Sequence, residues 1–129
     1  MRSWVWLSKD LLLAIHEEQL SEHGGGVGVR KEGLLASALA RPLDLAAYKK
    51  PDVSSLAAAY AFGVARNHPF VDGNKRVAAA ALELFIDLNG YALTADDTAL
   101  ATTIMALAEG SLSEAAVAGW IRKNTRKGD

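Results

Sequence analysis

The sequence predicts an all-α fold of about six helices, and three observations lead to that prediction. Apolar residues recur at the three- and four-residue spacing of a helix face through most of the chain. Glycine and proline divide these periodic stretches into segments of helical length. Serine or threonine stands before several of the segments, where a helix N-cap is expected. The length indicates a single domain over residues 1–129 with one hydrophobic core.

The first predicted helix is followed by a glycine-rich stretch. Ser8 is the expected N-cap of a helix that runs through His23, and Gly24 suits the position just after its end. Residues 24–29 read Gly-Gly-Gly-Val-Gly-Val. Because each glycine adds a backbone entropy cost to a helix, this stretch predicts a loop or a small hairpin.

Prolines bound the second and third predicted helices. A helix from about Lys31 to Ala40 is expected to end before Pro42, since proline lacks a backbone donor and disfavours helix in the preceding residue. The third helix is expected to begin at a cap provided by Ser54 or Ser55. It must end by the residue before Pro69.

Three more helices are predicted in the second half of the chain. One spans Asn74–Leu88, with a wide apolar arc typical of an element buried on most sides. The next is predicted from Thr94 as a cap and ends at Gly110, and the last begins at Ser111 and frays at Lys127. No linker, repeat or low-complexity segment interrupts this order.

Residues 68–76, His-Pro-Phe-Val-Asp-Gly-Asn-Lys-Arg, combine several chemical functions in one short stretch. Histidine titrates near neutrality, so His68 can take a proton from a hydroxyl group. Asp72 offers carboxylate oxygens to a divalent cation that neutralises phosphate charge. The alternative is an ordinary turn between two helices in which Asp72 or Asn74 serves only as a cap.

An anion site is predicted where the fourth helix begins. The backbone N–H groups at Gly73 and Asn74 should point out of the helix N-terminus without intrahelical acceptors. Lys75 adds a compact positive charge and Arg76 adds a planar guanidinium fork. The stretch therefore predicts binding of a phosphate-rich ligand.

Composition excludes several other classes of protein. With a net charge of −1, the chain lacks the broad basic surface of a nucleic-acid-binding protein, so no direct nucleic-acid binding is expected. It contains no cysteine, which rules out disulfides and thiolate catalysis. No apolar run approaches the length of a membrane span or a signal peptide, so a cytoplasmic protein without a membrane partner is expected.

The longer stretch Arg66–Arg76 resembles the signature of the Fic/Doc family, and specifically of its Doc (death on curing) branch. The resemblance extends upstream from His16 to Arg41-Pro42 and downstream to Asn89-Gly90, so it covers most of the chain. It implies the Fic fold, an all-α bundle in which the signature spans a loop and the N-terminus of a central helix.

The resemblance assigns roles to the residues of the signature. His68 would act as general base on a protein hydroxyl, and Asp72 would hold Mg²⁺ that bridges the phosphates of ATP or another nucleoside triphosphate. Gly73 and Asn74 would line the anion hole with backbone and amide donors, and Arg76 would bind a phosphate. These roles describe the transfer of part of a nucleotide to a protein.

Departures from the AMP-transferring members of the family point to a different group being transferred. Those members have a glycine and a second arginine where this chain has Lys75 and Ala79. In the Doc branch the same lysine accompanies transfer of the γ-phosphoryl group, so Lys75 is expected to take part in nucleotide binding and catalysis. Doc relatives phosphorylate elongation factor Tu and stop translation. Arg66 either contacts a distal phosphate or the target, or is a solvated arginine at a helix end.

The resemblance also implies two protein partners. The glycine-rich stretch would be a flap that docks the target by strand addition. Many Fic proteins restrain themselves with an inhibitory helix, but neither Glu32 nor Glu109, the glutamates that precede a glycine, fits its pattern. A separate Phd-like antitoxin, as in type II toxin-antitoxin modules, is therefore expected. The flap residues are Gly25, Gly26, Val27 and Gly28.

Two alternatives to a Doc-like kinase remain. The chain could be a Fic-type AMP or UMP transferase, which Lys75 and Ala79 disfavour. It could also be a catalytically vestigial module that acts by binding its antitoxin, which the complete signature disfavours. Metal binding by His16 and His23 is not predicted, because their spacing of seven residues does not match a helical zinc motif.

Overall fold

The structure is a computed structural model that describes residues 3–128, and about two thirds of that range is helical. The two short strands pair antiparallel, with Tyr91 opposite Lys127 and Leu93 opposite Thr125. The prediction of an all-α fold of about six helices is confirmed. The elements are α1 (Lys9–His23), α2 (Glu32–Tyr48), α3 (Val53–Asn67), α4 (Asn74–Leu88), β1 (Tyr91–Leu93), α5 (Asp97–Glu109), α6 (Glu114–Lys123) and β2 (Thr125–Lys127).

Helix α3 lies at the centre of the core and packs against α2, α4, α5 and α6. Its alanines are fully buried and allow its neighbours to approach closely. One close approach is at Gly63, where an added Cβ would lie only 2.8 Å from the Cα of Ala38 in α2. Helix α4 packs on the other side of α3 and also contacts α1, α5 and β1. The loop between α3 and α4 is therefore held between two firmly packed helices.

Helix α2 does not end before Pro42, so that prediction is wrong. The helix continues through the proline to Tyr48, and Pro42 itself is buried. A proline inside a helix costs about 3 kcal/mol because it removes one hydrogen bond and crowds the preceding turn. Beyond Pro42, Leu45 and Ala46 pack against the core. Burial of these side chains offsets the local cost.

Three predicted helix starts are displaced by two or three residues. Asp52, rather than Ser54 or Ser55, caps α3, because its Oδ1 accepts a hydrogen bond from the backbone N–H of Ser55 at 2.9 Å. Cap choice depends on which extended residue can reach the N–H three positions on. The corresponding caps are Asp96 instead of Thr94 for α5, and Ser113 instead of Ser111 for α6.

The chain after α6 forms a strand instead of a fraying helix. The helix ends at Lys123, and β2 then pairs with β1. The backbone N–H of Thr94 donates to the Asn124 carbonyl at 2.6 Å, which extends the pairing by one bond. None of the helices within residues 3–128 is long and apolar enough to cross a lipid bilayer.

The environment of Asp52 makes the free energy of unfolding depend on pH. Its carboxylate accepts hydrogen bonds from Arg122 in α6, with Nε 2.7 Å from Oδ2, as well as from Ser55. The Arg122 hydrogen bond is the main cause that lowers the pKa of Asp52 from 3.8 to about 2, and the Ser55 N–H adds to it. Because the folded-state pKa is lowered, the carboxylate stabilises the fold fully above pH 3.8 and progressively less as the pH falls towards 2.

We expect Asp52→Ala to lower the free energy of unfolding at pH 7 by about 1–2 kcal/mol, since it removes a helix cap and an exposed ion pair. The difference from wild type should shrink between pH 4 and pH 2. Urea unfolding followed by circular dichroism across that range measures it. Asp44→Ala removes an exposed aspartate that forms no ion pair within residues 3–128 and serves as the control. A difference that did not change with pH would contradict the assignment.

Candidate active site

The residues of the signature lie on the loop between α3 and α4 and on the first turn of α4. The loop begins at His68, which adopts the left-handed conformation with φ 51° and ψ 58°. It is the one non-glycine residue with a positive φ among residues 3–128. Such a conformation is uncommon outside glycine and marks a position that its surroundings hold in place.

Asn74 clamps this loop from the start of α4. Its side-chain Oδ1 accepts from the backbone N–H of Phe70 and its Nδ2 donates to the Phe70 carbonyl, both at 3.0 Å. The residue is buried. Its amide was expected to face an anion, but both of its ends are occupied by Phe70. The side chain of Asn74 therefore shapes the loop, and anion binding at the helix tip is left to backbone groups and cations.

His16 supports the same loop from helix α1, a role that was not predicted from the sequence. Its buried ring stacks on Phe70, with centroids 4.0 Å apart and planes inclined by 13°. Its Nε2 lies 3.0 Å from the carbonyl oxygen of Asp72. The two residues are 56 positions apart in sequence, so no local pattern could have indicated the contact. Within residues 3–128 no group of three metal-ligating side chains comes together.

The predicted residues, apart from Arg66 and those of the flap, surround one open cleft of about 380 Å³. The side chains of His68, Asp72, Lys75 and Arg76 are all solvent-exposed there. The His68 imidazole makes no hydrogen bond to any residue in the range 3–128, so it is available to a ligand. The lining residues are His68, Val71, Asp72, Gly73, Asn74, Lys75 and Arg76.

Two backbone N–H groups hold the Asp72 carboxylate. Gly73 donates to Oδ1 at 2.8 Å and Gly26 donates to Oδ2 at 3.3 Å. These hydrogen bonds, that of Gly73 first, lower the pKa of Asp72 below its usual value, and the charge of Arg76 adds to the effect. The carboxylate is therefore ionised at neutral pH and presents hard, anionic oxygen to the cleft.

The N-terminus of α4 opens onto the cleft. The first backbone bond of this helix runs from the N–H of Val77 to the Gly73 carbonyl at 2.9 Å, so the N–H groups of residues 74–76 precede it and have no intrahelical acceptor. Gly73 supports this start with φ 77°, a conformation suited to glycine. Together with the exposed charges of Lys75 and Arg76, the helix end forms a site for anions.

The glycine-rich stretch lies against the loop, but it does not form a hairpin of its own. A single antiparallel bridge pairs Val29 with Phe70, where the N–H of Val71 donates to the Gly28 carbonyl at 3.1 Å. Glycine is required at Gly25, because an added Cβ would lie 2.9 Å from Oδ2 of Asp72 at a backbone φ of 120°. The bridge to the loop replaces the internal pairing of a hairpin.

Arg66 does not line the cleft, contrary to the predicted role in nucleotide binding. Its Nη1 donates to the Leu107 carbonyl near the end of α5 at 3.3 Å, and its guanidinium lies 5.1 Å from the centre of the Phe62 ring. A cation at a helix C-terminus interacts well with the helix dipole, and here it adds a second donor to a carbonyl that already accepts from the N–H of Gly110. Arg66 therefore lies where the second interpretation of the sequence put it, as an arginine at a helix end.

A second groove adjoins the cleft between α1, α4 and α5, with a volume of about 530 Å³. Lys75 and Arg76 line both spaces. The floor of the groove is apolar, formed by Leu100 and Ile104. Met105 stands at its side with 50% of its surface exposed.

Comparison with known proteins places this site in a family. The model of the Fic/DOC family matches residues 6–86, a range that includes the loop and most of α4. The chain is 31% identical over 118 residues to the protein kinase doc of Escherichia phage P1, covering 91% of this chain and 93% of that protein. It is 47% identical over 77 residues to toxin Doc of Mycolicibacterium smegmatis, covering 57% of this chain and 58% of that protein. The chain therefore belongs to the Fic/DOC family, on its Doc branch.

Proposed function

We propose that this protein is a Doc-like toxin of a type II toxin-antitoxin module that transfers the γ-phosphoryl group of ATP, or of another nucleoside triphosphate, to a hydroxyl group of elongation factor Tu. Modification of that factor blocks translation in the cytoplasm. The observation that carries the proposal is the convergence of His68, Asp72, Lys75 and Arg76 on one cleft at a helix N-terminus. The relatives named protein kinase doc and toxin Doc agree with it.

The donor set of the cleft suits a magnesium ion. Mg²⁺ keeps several waters and is commonly held by one or two carboxylates together with substrate phosphates. Asp72 is the one carboxylate that lines the cleft among residues 3–128, and it is ionised and accessible. Asp72 would therefore hold Mg²⁺, which when bound neutralises charge on the phosphate oxygens.

The chain's own residues supply positioning and charge. Phosphoryl transfer has a loose transition state, so fixed donors contribute most of the catalysis. Lys75, Arg76 and the free N–H groups of α4 bind the phosphates of the nucleotide. His68 takes the proton of the attacking hydroxyl, for which its imidazole is both exposed and unbonded. The hydroxyl oxygen bonds to the γ-phosphorus while the bond between the β- and γ-phosphates breaks, and the nucleoside diphosphate leaves.

Transfer of AMP or UMP is the runner-up. In members of the family that transfer AMP, a glycine allows phosphate to approach the backbone where this chain has Lys75. The Lys75 side chain stands between the cleft and the neighbouring groove, where it adds a cation and restricts that approach. This position supports transfer of the terminal phosphoryl group. A vestigial site is disfavoured because the base, the carboxylate and the cations all line the cleft.

The target is proposed to dock at the flap of Gly25, Gly26, Val27 and Gly28. Val27 is 79% exposed, and the stretch lies along the edge of the loop that carries His68. An extended segment of the target added beside the flap would pass close to the imidazole. Strand addition uses backbone hydrogen bonds, so it places the hydroxyl without a need for a particular side chain at each position.

Intact-mass analysis of purified elongation factor Tu tests the proposal most directly. After incubation with this protein, ATP and Mg²⁺, we expect the factor to gain the mass of one phosphate. Matched reactions without Mg²⁺ and without nucleotide serve as controls. A gain of AMP would establish the runner-up, and an unchanged mass under conditions in which the protein is folded would contradict the proposed target.

A Phd-like antitoxin is proposed to bind the groove between α1, α4 and α5. Antitoxin segments that fold on binding present an apolar face, which fits the floor formed by Leu100 and Ile104. Lys75 and Arg76 favour an acidic residue in that segment, and Glu83 and Asp97, which also line the groove, favour a basic one. A segment seated there would also reach the cations of the cleft and block the nucleotide.

Met105→Glu is expected to prevent neutralisation by a co-expressed Phd-like antitoxin without reducing toxicity. A carboxylate in this groove would be desolvated by a bound segment, and loss of the complex by 10-fold or more follows from burying an unpaired charge. Growth of cells and binding by calorimetry measure the two effects. Leu43→Glu, at a side chain 46% exposed on α2, is the matched control and should be neutralised normally. Equal neutralisation of both variants would place the antitoxin elsewhere.

A further inference from the structure

Arg30 directly follows Val29, which forms the bridge to Phe70. It donates hydrogen bonds to three consecutive carbonyls at the end of α3 and the start of the α3–α4 loop. Its backbone N–H donates to the Pro69 carbonyl at 2.7 Å. Its side chain donates from Nε to the His68 carbonyl at 2.8 Å and from Nη2 to the Asn67 carbonyl at 2.9 Å. No other side chain in the range 3–128 hydrogen-bonds to these carbonyls.

The Asn67 and His68 carbonyls, at the last residue of α3 and its C-cap, need an external donor. The last carbonyls of a helix have no intrahelical partner, and α3 ends at Asn67. A guanidinium group supplies two parallel N–H groups in a planar fork and a positive charge at the negative end of the helix dipole. Arg30 therefore satisfies the end of α3 and holds the following turn in one conformation.

That turn determines where the base lies. The His68 imidazole has no hydrogen bond to residues 3–128, so its side chain does not anchor it. The main chain does so instead: the N–H of His68 donates to the Val64 carbonyl at 3.3 Å, and its carbonyl accepts from Arg30. The left-handed conformation of His68 is unfavourable for a free chain and depends on such contacts.

We infer that Arg30 is a positioning residue for His68, acting through the backbone of the turn and not on the nucleotide. The kinetic part of this inference, a change in kcat, rests on the proposed function. Arg30 does not line the cleft, so its loss should leave the binding of nucleotide to Asp72, Lys75 and Arg76 intact. Loss of the fork should let the turn relax and move the imidazole away from the attacking hydroxyl.

Arg30→Ala is expected to lower kcat by about 10²-fold, the effect of a displacement of roughly 1 Å, with little change in the KM for ATP. Added guanidinium ion at millimolar concentration should recover much of the rate, and ammonium at the same ionic strength should not. Arg41→Ala is the matched control. It removes a guanidinium that pairs with Glu114 and packs over Phe62, away from the cleft, so it should lower stability without lowering kcat.

A second measurement separates this inference from the proposed function. In ¹H–¹³C correlation NMR spectra of the free protein, the His68 ring signals should shift in Arg30→Ala and not in Arg41→Ala. Added guanidinium should reverse the shift. This comparison needs no substrate, so it decides the role of Arg30 even if wild type modifies no tested target. A wild-type kcat in folded Arg30→Ala, or unmoved His68 signals, would overturn the inference.

Discussion

His68→Ala is expected to lower phosphoryl transfer to elongation factor Tu by at least 10²–10⁴-fold, the usual contribution of a general base, and to abolish toxicity. The imidazole is exposed and forms no hydrogen bond within residues 3–128, so its removal disturbs no packing. The fold and the binding of nucleotide should therefore persist. Single-turnover transfer and growth after induction measure the loss, and circular dichroism checks the fold.

The backbone conformation at this position calls for a second variant. His68 is left-handed, and asparagine adopts that conformation more readily than alanine does. His68→Asn should keep the turn while it removes the base, so it should be as inactive as His68→Ala and at least as stable. Tyr48→Ala, which removes a ring 86% exposed at the end of α2, should stay toxic. Transfer at the wild-type rate in His68→Asn would show that the imidazole is not the base.

Asp72→Asn is expected to abolish Mg²⁺-dependent nucleotide binding as well as transfer. The substitution conserves shape and removes the one negative charge of the cleft lining within residues 3–128. An amide can still accept from the N–H of Gly73, but its NH₂ group cannot accept from Gly26, so the flap should also loosen. Calorimetric titration of ATP with and without Mg²⁺ measures the first effect, and hydrogen exchange at Gly26 measures the second.

The two substitutions should thus separate binding from chemistry. His68→Ala should bind Mg-ATP as wild type does, whereas Asp72→Asn should not. The Gly73 and Gly26 hydrogen bonds lower the pKa of Asp72, so its carboxylate should stay ionised when the pH falls to the usual pKa of an aspartate. Mg²⁺-dependent binding through Asp72 in the wild type should persist at that pH. Asp44→Asn, outside the cleft, is the control. Binding of Mg-ATP by Asp72→Asn with wild-type affinity would remove Asp72 from the proposed metal site.

Local patterns accounted for the helices and for the location of the cleft. The cap signals at Ser8 and Gly24 predicted the extent of α1, and the apolar arc that begins near Asn74 predicted that of α4. Helix α3 is buried on most sides and begins before its predicted caps. The structure confirms the predicted start of α4 near Asn74. The predicted helix boundaries were wrong where a longer-range contact outweighed the local signal. At Pro42, for example, burial stabilises a proline inside α2.

The sequence by itself determined the all-α class, the family and the grouping of His68, Asp72, Lys75 and Arg76, because these residues are neighbours along one loop and one helical turn. Only the tertiary structure decided how that loop is held. His16 and Arg30 reach it from 56 and 38 positions away, and Arg66 turns to the end of α5 instead. Such contacts depend on how the helices pack against each other, and no spacing within a single segment encodes them.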